Sequence, residues 1–235
     1  MKNILFGILA AAVLLVSCDP EEPEDNKNPI VFNTTEIANG SFENWEMKTQ
    51  NEAQFESPSG NYWASLNNLS FIQAPLVLTK TEEGYLGTNA VHLEARAWTE
   101  EWTLPGILVA GDFDSGKPIG ENLVHGKPIT VSPSSLSFYY RYLPADNDTA
   151  VVYTSLTRWN TETQSRDTVA ESSTTITGTT EVFTLMVLPY DYRSDARNQD
   201  TINIIFLTSI SGQNMKAHAG SIMEIDDVKL IMPRR

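Results

Sequence analysis

The chain has 235 residues, of which 41% are hydrophobic and 20% charged, with a formal net charge of −14 at pH 7 and a pI near 4.5. That acidity argues against a nucleic-acid partner, since a phosphate backbone calls for a basic surface, while neutral glycans and cations stay open. A single cysteine, Cys18, rules out a disulfide framework and a cysteine metal site.

Met1-Lys2-Asn3 gives a short positive start, and Ile4 to Val16 is an apolar run too short for a membrane span but suited to a signal peptide. It ends in Leu15-Val16-Ser17-Cys18, which resembles the bacterial lipobox. Residues 1–17 are therefore read as a lipoprotein signal peptide, with Cys18 as the lipidation site and membrane anchor; the alternative is a plain secretory signal with a chance cysteine. Residues 18–34 carry Asp, Glu, Pro and Asn, which bury no surface, and read as a solvated tether. Acidic residues directly after the cysteine resemble those of Bacteroidetes surface lipoproteins. The expected location is the outer membrane, lipid-anchored and facing the cell exterior, with the periplasmic face as the alternative.

From residue 35 to 235 the pattern is one of short apolar runs between Gly, Pro, Asn and Asp, which indicates strands and turns. Asn39-Gly40-Ser41-Phe42-Glu43-Asn44-Trp45 opens this domain. Gly220 to Leu230 is its expected counterpart, so that the first and last strands clasp. Asn67 to Gln73 suits a short helical turn. Val91, Leu93 and Ala95 alternate with His92, Glu94 and Arg96, and Leu136, Phe138, Tyr140 and Tyr142 alternate with Ser135, Ser137, Tyr139 and Arg141. Further strands are predicted over Gly106 to Phe113 and Thr149 to Leu156, with Phe183, Leu185 and Val187 as the alternating apolar face of another and Ile202, Ile204 and Phe206 as that of one more. Thr161 to Thr180 reads as a hairpin turning near Thr177-Gly178-Thr179. Near Asp226-Asp227 the last strand must bulge, because Ile225 cannot otherwise share a face with Val228 and Leu230. Roughly nine to eleven strands in about 200 residues fit one all-β antiparallel sandwich.

Several of these stretches resemble, in order, motifs of the Bacteroidetes lipoprotein family named the putative carbohydrate metabolism domain (PCMD). They are Asn39 to Trp45, Gly60-Asn61-Tyr62-Trp63-Ala64-Ser65-Leu66-Asn67, Gly87 to Glu94, Pro189-Tyr190-Asp191-Tyr192 and Gly220 to Leu230. The resemblance implies a single jelly-roll-like sandwich similar to carbohydrate-binding modules. In calcium-bearing modules of that shape an early Phe-Glu and a late Asp-Asp-Val hold one structural Ca²⁺; here Glu43 and Asp226 or Asp227 match the pattern. Calcium takes about six to eight oxygen ligands, several of them carboxylates. The alternative is that these acids cap turns or face solvent.

Sugars are bound by aromatic faces beside amide, carboxylate and guanidinium groups. Trp98, Glu100, Glu101 and Trp102 form the leading candidate cluster, in a segment between strands. Trp159 with its neighbours Arg158 and Asn160, and Tyr192 with Arg193, are further candidates. The alternative is that these rings plug the sandwich ends. Trp45 and Trp63 are assigned to the core. Glu100, Glu101, Asp112 and Asp114 show no sign of forming the facing carboxylate pair of a glycosidase, and His92, His125 and His218 show no zinc spacing. Thr149, Thr168 and Thr201 each follow Asp and precede a small or apolar residue, which resembles a Bacteroidetes O-glycosylation motif and also suits a strand entry. The sequence thus indicates a surface lipoprotein that binds glycan or polysaccharide without cleaving it, alongside outer-membrane uptake proteins. A glycoside hydrolase on the same fold and a structural or adhesive surface protein are the alternatives.

Overall fold

The computed structural model describes residues 32–194 and 197–234; the signal-like run, Cys18 and the acidic tether lie outside the described residues. In chain order the strands are β1 (Thr34–Glu36), β2 (Trp45–Gln50), β3 (Ala53–Pro58), β4 (Trp63–Ala64), β5 (Leu78–Thr81), β6 (Ala90–Glu94), β7 (Arg96–Ala97), β8 (Thr103–Leu104) and β9 (Ile107–Phe113), followed by β10 (Leu123–His125), β11 (Lys127–Pro128), β12 (Ser135–Leu143), β13 (Thr149–Asn160), β14 (Ser165–Thr177), β15 (Thr180–Pro189), β16 (Asp191–Tyr192), β17 (Thr201–Leu207) and β18 (Ile222–Ile231). Ten of these run five residues or longer, within the range read from the sequence. The predicted helical turn is a 3₁₀ segment, Leu66–Ile72, started by the Ser65 Oγ accepting from the Asn67 N–H and stopped by Gln73 in a left-handed conformation.

Two antiparallel sheets form the sandwich. The smaller has the order β15-β12-β18-β6-β5, with β1 also on β18; the larger has the order β10-β9-β17-β13-β14-β16, with β4 on β9 and β11 on β17. Strand alternation fills the space between them. Leu136, Phe138, Tyr140 and Tyr142 of β12 face Ala150, Val152 and Leu156 of β13 and Ile202, Ile204 and Phe206 of β17 in one buried cluster. Phe138 meets Phe206 edge-on at 5.0 Å across the layers, and Trp63, on the larger sheet, lies 5.4 Å from Phe42 and 6.4 Å from Phe206.

The two ends of the domain meet as expected. The Val228 N–H donates to the Gly40 carbonyl at 2.8 Å, and a Cβ on Gly40 would lie 2.3 Å from the Val228 carbonyl oxygen, so only glycine permits the approach. The bulge is also present. Ser137 pairs with Lys229 but Tyr139 with Asp226, and Asp227 takes a φ of 51°, so Ile225, Val228 and Leu230 all reach the core.

Two expectations need correction. The turn at Gly178 does not join a hairpin: β14 pairs back on β13, while β15 pairs with β12 in the other sheet, so the turn is a corner between sheets. In β15 the inward residues are Met186 and Leu188, opposite Phe138 and Leu136, whereas Leu185 is 40% exposed. From Leu185 to Leu188 every residue is apolar, so alternation alone does not choose the buried face.

Candidate functional site

The outer face of the larger sheet carries an open groove of about 550 Å³. Register sets its floor. Val109, Ile205, Tyr153 and Ser173 stand side by side across β9, β17, β13 and β14, with Leu207 opposite Val151 in the row before and Asn203, Ser155 and Glu171 in the row after. One wall comes from Leu66 of the 3₁₀ segment and Pro105, another from Gly212 and Met215, and a third from Gly120, Leu123 and His125. A second apolar cluster of Leu66, Leu69, Ala74, Val77 and Leu104 supports the first wall.

Polar groups converge on one side of this floor. The Tyr153 hydroxyl donates to Glu171 Oε2 at 3.3 Å, and Arg193 donates to Glu171 Oε1. The Arg193 guanidinium holds the Glu171 carboxyl below its ordinary range. Burial, and then the nearby Lys117 charge, lower the His125 pKa, so its ring is neutral at pH 7 and offers one donor and one acceptor. Asn203 donates to the Ser155 hydroxyl at 3.0 Å. The site is thus an aliphatic floor with one tyrosine ring, bordered by hydroxyl, amide, imidazole and paired-ion groups.

The candidate sugar-binding residues do not converge on one place. Trp98 and Trp102 stand 5.6 Å apart on the β7–β8 hairpin, where the Trp98 and Thr99 N–H groups donate to the Trp102 carbonyl. Trp98 packs against the second apolar cluster; Glu100 and Glu101 are exposed and border a shallow pocket with Trp102, Thr103 and Lys216. That pocket adjoins the groove through Met215, whose carbonyl accepts from the Thr103 N–H. Trp159 is 51% exposed at the opposite end of β13, roughly 26 Å along the strand from Val151. Tyr192 turns its hydroxyl to the Pro133 carbonyl and its ring to the Arg197 guanidinium, 4.0 Å away. Of the candidates, only Arg193 contributes to the polar border of the groove. Asp112 pairs with Lys127 at 2.8 Å, and Asp114 caps its own turn through the Gly116 N–H. Thr149 and Thr168 are partly buried, while Thr201 is buried and donates to Asp200, so the folded chain does not present the Thr201 hydroxyl.

Glu43 and Asp226 do act together, on one loop. Glu43 Oε1 accepts from the Thr88 and Asn89 N–H groups at 2.9 and 3.0 Å, and Asp226 Oδ2 accepts from those of Tyr85 and Leu86 at 2.8 and 2.9 Å. Asp226 Oδ1 takes the Asp227 N–H, and the Lys229 ammonium lies 2.7 Å from Asp227 Oδ1. N–H donors and an ammonium aimed at these oxygens fit a loop clasp and do not fit a calcium shell. Among the described residues no group of three or more His, Cys, Asp or Glu is placed to hold a metal ion.

Burial pushes the Asp226 carboxyl up to about 6, above its ordinary 3.8. A folded-state pKa above the unfolded one gives a stability contribution present below pH 3.8 and lost as pH rises through about 6. Between pH 4 and 6 the wild type is therefore expected to lose stability relative to Asp226→Asn. Urea unfolding of both proteins across that window checks it, and a constant difference between them would refute the assignment.

No family model matches the chain, and no curated protein matches it. Among solved structures it is similar to a putative glycoside hydrolase from Bacteroides vulgatus ATCC 8482, with a TM-score of 0.71 and 18% identity, covering 82% of this chain and 97% of that one. It is also similar to a putative glycoside hydrolase from Bacteroides thetaiotaomicron VPI-5482, with a TM-score of 0.65 and 19% identity, covering 80% of this chain and 67% of that one. At these identities the likeness is one of fold.

The groove residues Tyr153, Ser173, Glu171 and His125 escaped sequence reasoning. The one available signal was the alternation of Val151, Tyr153 and Ser155 against Ala150, Val152 and Thr154, which marks the outward face of β13.

Proposed function

We propose that this chain binds glycan without cleaving it, in the groove on the outer face of the larger sheet. The observation that carries the reading is the composition of that groove. The Tyr153 ring and aliphatic floor suit the C–H faces of a sugar, and His125, Ser173 and the Glu171–Arg193 pair beside them suit its hydroxyls. The fold likeness to two Bacteroides proteins described as putative glycoside hydrolases agrees with a carbohydrate-related role, as do the PCMD-like motifs. Capture is favoured over hydrolysis because the Glu171 carboxylate at the groove's border is engaged by Arg193 and no second carboxylate is among the lining residues, whereas a glycosidase needs two carboxyl groups, about 5–9.5 Å apart, across the bond. With Cys18 lipidated, the domain would stand on the outer membrane facing the exterior and hand polysaccharide to uptake proteins there.

The test is a glycan array probed with the full chain in a detergent lacking a sugar headgroup, beside Tyr153→Ala and a Trp98→Ala, Trp102→Ala pair. Tyr153→Ala is expected to weaken binding about tenfold or more, as truncating a central aromatic does. Loss confined to the tryptophan pair would move the site to the hairpin, and absence of binding to every glycan would remove the reading.

A further inference from the structure

The outer face of the smaller sheet carries a second arrangement. The loop 82–89 lies across β12 and β18 and sets Tyr85 on Tyr139, with ring centroids 3.5 Å apart and planes 15° from parallel. Phe183 meets the Tyr85 ring edge-on at 6.2 Å. Tyr85 nevertheless remains 46% exposed, so the stacked pair supports a ring that faces water. The loop is firmly fixed. Glu43 and Asp226 bond four of its N–H groups, and Gly84 donates to the Thr88 carbonyl at 3.0 Å. At Gly87, whose φ is 85°, an added Cβ would lie 2.4 Å from Glu43 Oε1.

A cavity of about 350 Å³ borders this loop, lined by Glu83, His92, Arg141, Thr180, Glu181 and Glu224 among others. Its polar groups are already ordered. Arg141 pairs with Glu224 and, at 3.0 Å, with Glu83; its guanidinium lies 4.7 Å from the Phe183 ring centre. Glu224 Oε1 lies 3.1 Å from His92 Nδ1. A fixed aromatic face beside preset donors and acceptors matches a sugar, with its apolar C–H face and flanking hydroxyls. The three carboxylates outnumber the one guanidinium, so a uronic acid would be repelled and a neutral sugar accepted.

We propose that Tyr85 and the adjoining Arg141–Glu224 cavity form a second glycan subsite, selective for neutral sugar, on the opposite face of the sandwich from the groove. The proposal rests on the glycan-binding reading but adds a separate place and a charge preference. Two sites on one anchored domain would raise the avidity for a long polysaccharide.

The test uses the full chain in the same sugar-free detergent, with Tyr85→Ala, Tyr85→Phe, Tyr153→Ala and the Tyr85→Ala, Tyr153→Ala double variant. All are titrated by calorimetry with neutral hexasaccharides of β-1,4-glucan, β-1,4-xylan, β-1,4-mannan and α-1,4-glucan, and with a galacturonic acid hexamer. Circular dichroism melts confirm that each variant folds. The expected result is that Tyr153→Ala, although weakened, keeps a residual binding of a neutral hexasaccharide, that adding Tyr85→Ala lowers that remainder about tenfold or more, and that Tyr85→Phe, which keeps the ring, does not lower binding. The acidic hexamer should not bind at this site. If Tyr153→Ala abolishes all binding and Tyr85→Ala changes none, the second subsite is wrong and the groove stands. If the wild type binds no hexasaccharide, both fall. If Tyr85→Ala instead abolishes self-association seen by sedimentation and leaves sugar binding intact, the ring serves a protein interface and the proposal is overturned.

Discussion

Trp63→Ala should destabilise the domain by about 3–5 kcal/mol, the range for truncating a buried aromatic. Trp63 is 2% exposed and touches the rings of Phe42, Tyr62 and Phe206, so it links the opening clasp to the larger sheet. Its indole N–H also donates to the Ala38 carbonyl at 3.1 Å, just before that clasp. The substitution therefore opens a cavity and frees a backbone acceptor together. Urea unfolding is the measurement: the midpoint should fall sharply while the slope stays near that of wild type. Set against the roughly 5–15 kcal/mol of a typical domain, such a loss should also lower the folded yield. A loss of less than about 1 kcal/mol would mean that the site collapses around the missing ring and that Trp63 does not tie the clasp to the larger sheet.

Asn67→Ala should cost a comparable amount, on the order of 3 kcal/mol or more, through hydrogen bonding rather than packing. The side chain is fully buried. Its Oδ1 accepts from the Val77 and Leu78 N–H groups at 2.8 and 3.1 Å, and its Nδ2 donates to the Leu78 carbonyl at 2.7 Å. One side chain thereby holds the 3₁₀ segment to the start of β5 and keeps Val77 and Leu69 together in the second apolar cluster. Alanine leaves three main-chain groups unpaired in the interior, each carrying a desolvation penalty. Asn67→Asp is the informative companion. It keeps the acceptor but puts a carboxylate oxygen against the Leu78 carbonyl, so its defect should ease at acid pH, where the carboxyl can donate. The alanine variant should show no such recovery. Because Leu66 lines the groove, Asn67→Ala is also expected to weaken glycan binding in the variant that remains folded.

Both residues fall within the Gly60 to Asn67 motif, and what the sequence said about them was uneven. Trp63 was assigned to the core from its motif. The role of Asn67 was not readable, because its partners are main-chain groups some ten residues away and main-chain groups leave no mark on sequence. The same division explains the calcium expectation. Glu43 and Asp226 bond one loop, but a carboxylate beside backbone N–H groups and a carboxylate beside a cation look alike in sequence. Only the position of the 82–89 loop distinguishes them.

Legible in the sequence were the all-β sandwich, most of its long strands, the pairing of the Asn39 to Trp45 stretch with Gly220 to Leu230, and the bulge at Asp226-Asp227. The strands and the bulge follow from local rules, namely strand alternation, turn residues and the need for Ile225, Val228 and Leu230 to share a face, while the pairing of the two ends rests on the motifs that resemble the PCMD family. The tertiary structure alone decided which sheet receives β15, which face of β15 is buried, and which side chains border the groove. His125, Tyr153, Glu171 and Arg193 come from separate segments and border one groove only through the pairings of β10, β9, β17, β13, β14 and β16. Sheet register brings distant residues together through main-chain hydrogen bonds common to every residue but proline. The tryptophans that stood out in the sequence could therefore be found one by one, while the surface they share with other segments could not.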